Sequence, residues 1–194
     1  MSGLCVTLAV ITGCRSTPEY KGDGQIKNTS YWEDNLIRVP EYTIQLASFG
    51  LATNAAREFY LGDVAFFRKT ALAVRIRFSD AHDWDHFKQL PPSLKADAYI
   101  AKHKMRDINE IKSRLSYRVE TTTGNRLFQS DRQLADCGWA RAYPASGLTR
   151  VEIYDPEDSR MDIPYATSLK LWFSYTGDPS LTNRAELVVV CRPK

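Results

Sequence analysis

Leu72-Ala73-Val74-Arg75-Ile76-Arg77-Phe78 decides how this chain folds. Its large apolar residues fall on every second position, with Ala73, Arg75 and Arg77 between them. A strict period of two belongs to a strand, with one row of side chains in a core and the other in water. The same alternation recurs on both sides of this stretch. Tyr42, Ile44 and Leu46 alternate with Thr43, Gln45 and Ala47. Leu115, Tyr117 and Val119 alternate with Ser116, Arg118 and Glu120, and Thr123-Gly124-Asn125 offers a turn into Leu127-Phe128-Gln129. Residues 138–143 and 148–154 read as further strands. Leu169, Leu171, Phe173 and Tyr175 share one face of a strand from Ser168 to Tyr175, and Gly177-Asp178-Pro179 begins the next connection. The nearly unbroken apolar run from Ala185 to Cys191, with Val188-Val189-Val190, predicts a strand at the centre of a sheet.

Helical signals are brief. Asn54 is placed to cap a helix over Ala55–Leu61, with Gly62 as its stop. Asp80 to Leu90, ended by Pro91-Pro92, and Asp107 to Ile111 read likewise, with a strand near Ala96–Ile100 between them. About eight short strands with only brief helices predict a mostly β chain, an antiparallel β-sandwich with short helical insertions. The alternative is an α+β domain in which residues 80–111 form a layer.

Leu8-Ala9-Val10-Ile11-Thr12-Gly13-Cys14 is an uncharged apolar run ending in a small residue and a cysteine. It resembles the lipobox of bacterial lipoprotein signal peptides, with Ile11 three before the cysteine and Gly13 one before it. The resemblance implies that residues 1–13 are removed and that Cys14 carries acyl chains. No Lys or Arg precedes Arg15, a departure from the basic start of such signals. The apolar stretch is shorter than the ~20 residues that span a bilayer as a helix. Arg15 rather than Asp follows the cysteine, which in Gram-negative members of the family implies the outer membrane, facing the periplasm. Residues 14–41, with Pro18, Gly22, Gly24 and Pro40, then read as a lipidated tether, and 42–194 as a single β-rich domain. Tyr31 and Trp32 interrupt that tether as a docking element for the domain or for another envelope protein.

Composition narrows the partners. The net charge of +3 over 194 residues is spread among acidic neighbours, with no basic run of the kind that binds nucleic acid. Hydrophobic and charged fractions of 43% and 25% are those of a globular chain. Beyond Cys14 only Cys137 and Cys191 remain. In an oxidising compartment an even pair is most simply a disulfide, closing a loop of about 54 residues.

Candidate chemistry is sparse. His82 and His86, four apart with Asp83 between, share one face of a helix as a metal pair requires, and His103 is a candidate third ligand. Asp83 stands where metalloproteases of the His-Glu-x-x-His type carry their general base; acidic residues also suit a helix's first turn. Asp155-Pro156-Glu157-Asp158-Ser159-Arg160-Met161-Asp162 is carboxylate-rich and reads as a solvated turn before a calcium loop. Cys137-Gly138-Trp139 carries a thiol that the disulfide accounts for more simply than a nucleophile does. Trp139 and Trp172, on strands, read as core. Arg75 and Arg77, with Arg118, form a modest basic strip on a wet sheet face. The expected protein is a lipid-anchored envelope component with no cofactor and no catalytic residues, binding a partner protein or glycan. The alternatives are a metal-dependent periplasmic hydrolase built on His82 and His86, and a purely structural envelope lipoprotein.

Overall fold

The computed structural model describes residues 17–29, 31–33, 37–64, 69–79, 112–142, 150–158, 161–165, 167–179, 181 and 184–193. The lipobox with Cys14, the histidine cluster His82, Asp83 and His86, His103, and the helices and strand expected between Asp80 and Ile111 lie outside them.

The chain forms two antiparallel sheets that pack face to face, a mostly β sandwich. The large sheet runs β1 (Gln25–Asn28), β4 (Tyr42–Gly50), β13 (Arg184–Pro193), β6 (Lys69–Ser79), β10 (Arg150–Tyr154), β9 (Gly138–Ala142). The short β11 (Asp162–Pro164) pairs with the start of β6, on the edge that β10 occupies further along. The small sheet runs β5 (Ala55–Asp63), β12 (Ser168–Thr176), β7 (Arg114–Thr121), β8 (Arg126–Gln133). A separate hairpin pairs β2 (Tyr31–Glu33) with β3 (Ile37–Val39). The core lies between the sheets. Leu72, Val74 and Ile76 enter it from β6, Ile44 from β4, and Leu187 and Val189 from β13; Leu115, Tyr117 and Val119 meet them from β7, and Leu169, Leu171, Phe173 and Tyr175 from β12. Each fully buried aliphatic side chain contributes about 1.5–3 kcal/mol. β13 occupies the centre, between β4 and β6, and Val188 and Val190 are buried on its far face as well.

Residues 55–61 are strand, not helix. Ala55-Ala56-Arg57-Glu58 has helix-forming side chains, but Phe59 and Leu61 are buried at period two and the segment pairs along β12 from Tyr175 to Ser168. Burying that face outweighs propensities worth only tenths of a kcal/mol per residue. Gly62 ends no helix. It sits beside a β-bulge opposite Leu169 with φ of +56°, and a Cβ there would lie 3.0 Å from the Lys21 carbonyl. Helix among the described residues is limited to 3₁₀ geometry, at the turn Leu134–Asp136 and at Asp158.

The sandwich also takes in residues before Tyr42. Tyr20 packs against the core. Asp23 donates its N–H to the Tyr60 carbonyl and accepts the Tyr60 N–H on Oδ2, both at 2.7 Å. Asp23 thus covers part of the β5 edge, which would otherwise present unpaired backbone groups. β1 follows at once on the edge of the large sheet, so residues 20–28 cross from one sheet to the other.

Candidate binding face

The two faces that alternation predicts to be wet differ sharply. On the large sheet Arg75 and Arg77 are largely withdrawn from water. Arg77 is 2% exposed and donates from Nε to Glu152 Oε1 at 2.7 Å, its cross-strand partner on β10. Its Nη1 is buried with no hydrogen-bond partner. Arg75 Nη1 reaches Asp158 Oδ1 at 2.7 Å, and its guanidinium lies over the Tyr154 ring. The expected basic strip of Arg75 and Arg77 is therefore a set of ion pairs, buried at Arg77 and part-buried at Arg75. Glu152 and Asp158 supply the countercharge that lets cations leave water.

The Asp155–Asp158 loop is likewise not a solvated turn. Asp158 fills the gap on the β6 edge between β10 and β11, where it accepts the Val74 N–H at 3.0 Å and the Tyr117 hydroxyl at 2.8 Å. Burial pushes its carboxyl above the ordinary range, against the pull of Arg75. Asp155 accepts from Ser130 Oγ, from Arg132 Nε and from the Glu157 N–H. Burial would raise Asp155 too, but those donors outweigh it and hold the carboxyl below its usual value. These carboxylates tie both sheets together. Among the described residues no three His, Cys, Asp or Glu side chains converge to hold a metal ion.

The expected Cys137–Cys191 disulfide is not formed; both thiols are free and buried. Cys137 follows the 3₁₀ turn, its Sγ 3.5 Å from the Gln133 carbonyl and its charged neighbours Asp155 and Arg132. Cys191 lies far along β13, opposite Tyr42 and Leu72, with Glu41 nearby. A disulfide needs Cα atoms about 4.4–6.8 Å apart, and these two sit in different surroundings of the sandwich. Burial pushes the Cys137 thiol up to about 12, which removes the thiolate a nucleophile needs. Tyr31 and Trp32 pair with Val39 and Arg38 in the β2–β3 hairpin; the structure does not describe their side chains.

The small sheet presents the open face. Trp172 sits between Leu171 and Phe173, which are buried, so alternation turns it outward, and it is 41% exposed rather than core. Trp139 lies on β9, its side chain not described. Tyr60 at 42% and Leu127 at 37% accompany Trp172 on that outer face, so it carries three of the four exposed large apolar side chains among the described residues. The register sets the rows. Glu58, Trp172, Arg118 and Gln129 stand side by side across the four strands, and Ala56, Ser174, Ser116 and Asp131 form the adjacent row. Small side chains beside a large ring leave a trough of about 490 Å³. Arg118 lies over the indole, 5.2 Å from its centroid, and its Nε is 2.8 Å from Glu120. Asp131 accepts from Arg114 and from Ser116 Oγ, and hydrogen bonds from Arg114 hold its carboxyl at about 2. The arrangement offers a braced aromatic platform with hydroxyls, an amide and carboxylates beside it, suited to binding. Sequence reading missed this site although the parity of Trp172 against Leu171 and Phe173 points to it.

The chain matches no protein-family model, no curated protein and no solved structure.

Proposed function

We propose that this protein is a cell-envelope lipoprotein, held by acyl chains on Cys14 at the outer membrane facing the periplasm, and that it works as a non-catalytic binding or assembly module for an envelope protein or glycan. The observation that carries the binding reading is Trp172, an indole left 41% exposed on a sheet face and braced over a trough. Exposed apolar clusters rimmed by polar groups mark interaction sites, and Trp is enriched where a few residues supply most of the binding energy. What supports the address is the apolar run closed by Ile11-Thr12-Gly13-Cys14. No helix among the described residues is long and apolar enough to cross a membrane, and anchoring by several acyl chains does not need one.

The test is made on the full chain expressed in a Gram-negative host that processes lipoproteins. Mass spectrometry of the mature N-terminus is expected to find a thioether lipid on Cys14; an unmodified chain in the cytosol with residues 1–13 attached overturns the address. Photocrosslinking from position 129, which lines the same trough two strands from Trp172, is expected to capture a specific envelope component, and Trp172→Ala to lose it. Capture that is indifferent to that substitution overturns the binding face.

A further inference from the structure

We propose that the trough beside Trp172 is a saccharide site, an inference that rests on the binding-module reading and narrows its partner to a glycan chain. A pyranose ring has one face of C–H bonds and a rim of hydroxyls. The C–H face packs on the electron-rich face of an indole. Trp172, 41% exposed, stands at the side of the trough. Arg118 lies over part of its ring, 5.2 Å from the centroid, with Nε 2.8 Å from Glu120 but in no hydrogen bond. The indole surface that Arg118 leaves uncovered is the one a sugar would use.

The rim fits the hydroxyls. Ser116, Ser174, Gln129, Asp131 and Glu58 line the trough, a mixture of donors and acceptors at the spacing of successive strands. Asp131 already accepts from Arg114 and Ser116, and a carboxylate with about four lone-pair sites retains room for a sugar hydroxyl. The charge balance points the same way. Glu58 pairs with Lys170 at 3.1 Å, Asp131 with Arg114 and Arg118 with Glu120. Arg57 is the charged lining residue with no ion pair among the described residues, so the face carries at most a weak positive field, and a hydroxylated chain needs no strong one. The size is compatible with a few sugar units: about 490 Å³ lies within the ~300–1,000 Å³ range of small-ligand sites.

The experiment titrates the purified full chain with tetramers of β-1,4-linked N-acetylglucosamine, β-1,4-glucose, α-1,4-glucose and β-1,4-mannuronate, read by calorimetry. At least one is expected to bind saturably. Trp172→Ala, which removes the platform, and Ser174→Tyr, which fills the trough, are each expected to weaken that binding roughly tenfold or more. Tyr165→Ala, at an exposed aromatic remote from the trough, is expected to leave it unchanged. Absence of saturable binding up to about 10 mM, or binding indifferent to both trough variants, overturns the inference. Should no sugar bind while position 129 still crosslinks to an envelope protein in a Trp172-dependent way, the saccharide site fails and the binding module stands.

Discussion

At the scale of single residues the most unusual group is Arg77. Its guanidinium is buried on the side of β6 away from the core, with Nε and Nη2 both on Glu152 Oε1 and Nη1 without a hydrogen-bond partner. Burying two charges costs more than their attraction returns unless every donor is matched. Two consequences follow in opposite directions. Arg77→Met leaves Glu152 buried with, among the described residues, only Arg75 Nε at 3.8 Å as a cationic partner, and is expected to cost about 3–5 kcal/mol. Adding Glu152→Leu removes the stranded carboxylate and is expected to recover most of that loss. Urea unfolding of the two variants beside the parent chain measures both. A double variant no more stable than Arg77→Met would show that the pair is held together by something other than mutual neutralisation. The alternation through Leu72–Phe78 told correctly that Arg75 and Arg77 share a face. It could not tell that the face is closed, because period two separates two sides of a strand without saying what lies over either.

At the scale of elements, the strands were legible and the contacts between distant segments were not. β4, β6, β7, β8, β9, β10, β12 and β13 coincide with runs of alternating or unbroken apolar residues. β5 was hidden by Ala55-Ala56-Arg57-Glu58, whose side chains favour a helix until a neighbouring strand is available. β1 and β11 are too short to show a period. The Asp155–Asp158 loop was legible as a loop, but its partners Val74, Tyr117, Ser130 and Arg132 sit on strands far away in sequence. That loop should govern behaviour in acid. Asp155 is held below its ordinary value, so its ionised form favours the folded chain above the unfolded value of about 3.9. This contribution disappears as pH falls through the folded value. Asp158 is raised and runs the other way: the folded chain keeps its proton to higher pH, so its contribution is largest in acid and declines as pH rises to the folded value. Asp155→Asn removes only the first effect. At about pH 7 it is expected to be less stable than the parent by on the order of 2–3 kcal/mol, and the gap should narrow below about pH 4. Thermal midpoints across that range test it; a gap that stays constant would mean Asp155 stabilises by shape rather than by charge.

For the whole molecule, the route of residues 20–28 changes what the N-terminal segment can do. Read from sequence, residues 14–41 are a tether that keeps the domain clear of lipid headgroups. In the structure Tyr20 is already packed against the core, Asp23 is bonded to Tyr60, and β1 is part of the large sheet. Gly22 is packed so closely that a Cβ would fall 2.4 Å from the Tyr20 hydroxyl and 2.8 Å from the Leu61 carbonyl carbon. From Cys14 to Tyr20 are six backbone steps, at most about 20 Å of reach. With Cys14 lipidated as proposed, the sandwich sits near the bilayer at its Tyr60–Gly62 end, and the trough starts at Glu58 and runs along β5 away from that end. Attachment and binding face thus occupy different halves of one sheet, which lets the face meet material beyond the headgroups without a long spacer. Limited trypsin digestion of the membrane-bound chain tests the docking. Lys21 has an exposed side chain, yet its backbone lies against Gly62, and Lys27 is within β1. Cleavage after either is expected to be no faster than cleavage after Lys170 in the middle of the small sheet, because each requires the sandwich to open. Early cutting after Lys21 or Lys27, with the β12 site still protected, would free the segment from the sandwich and restore the long tether.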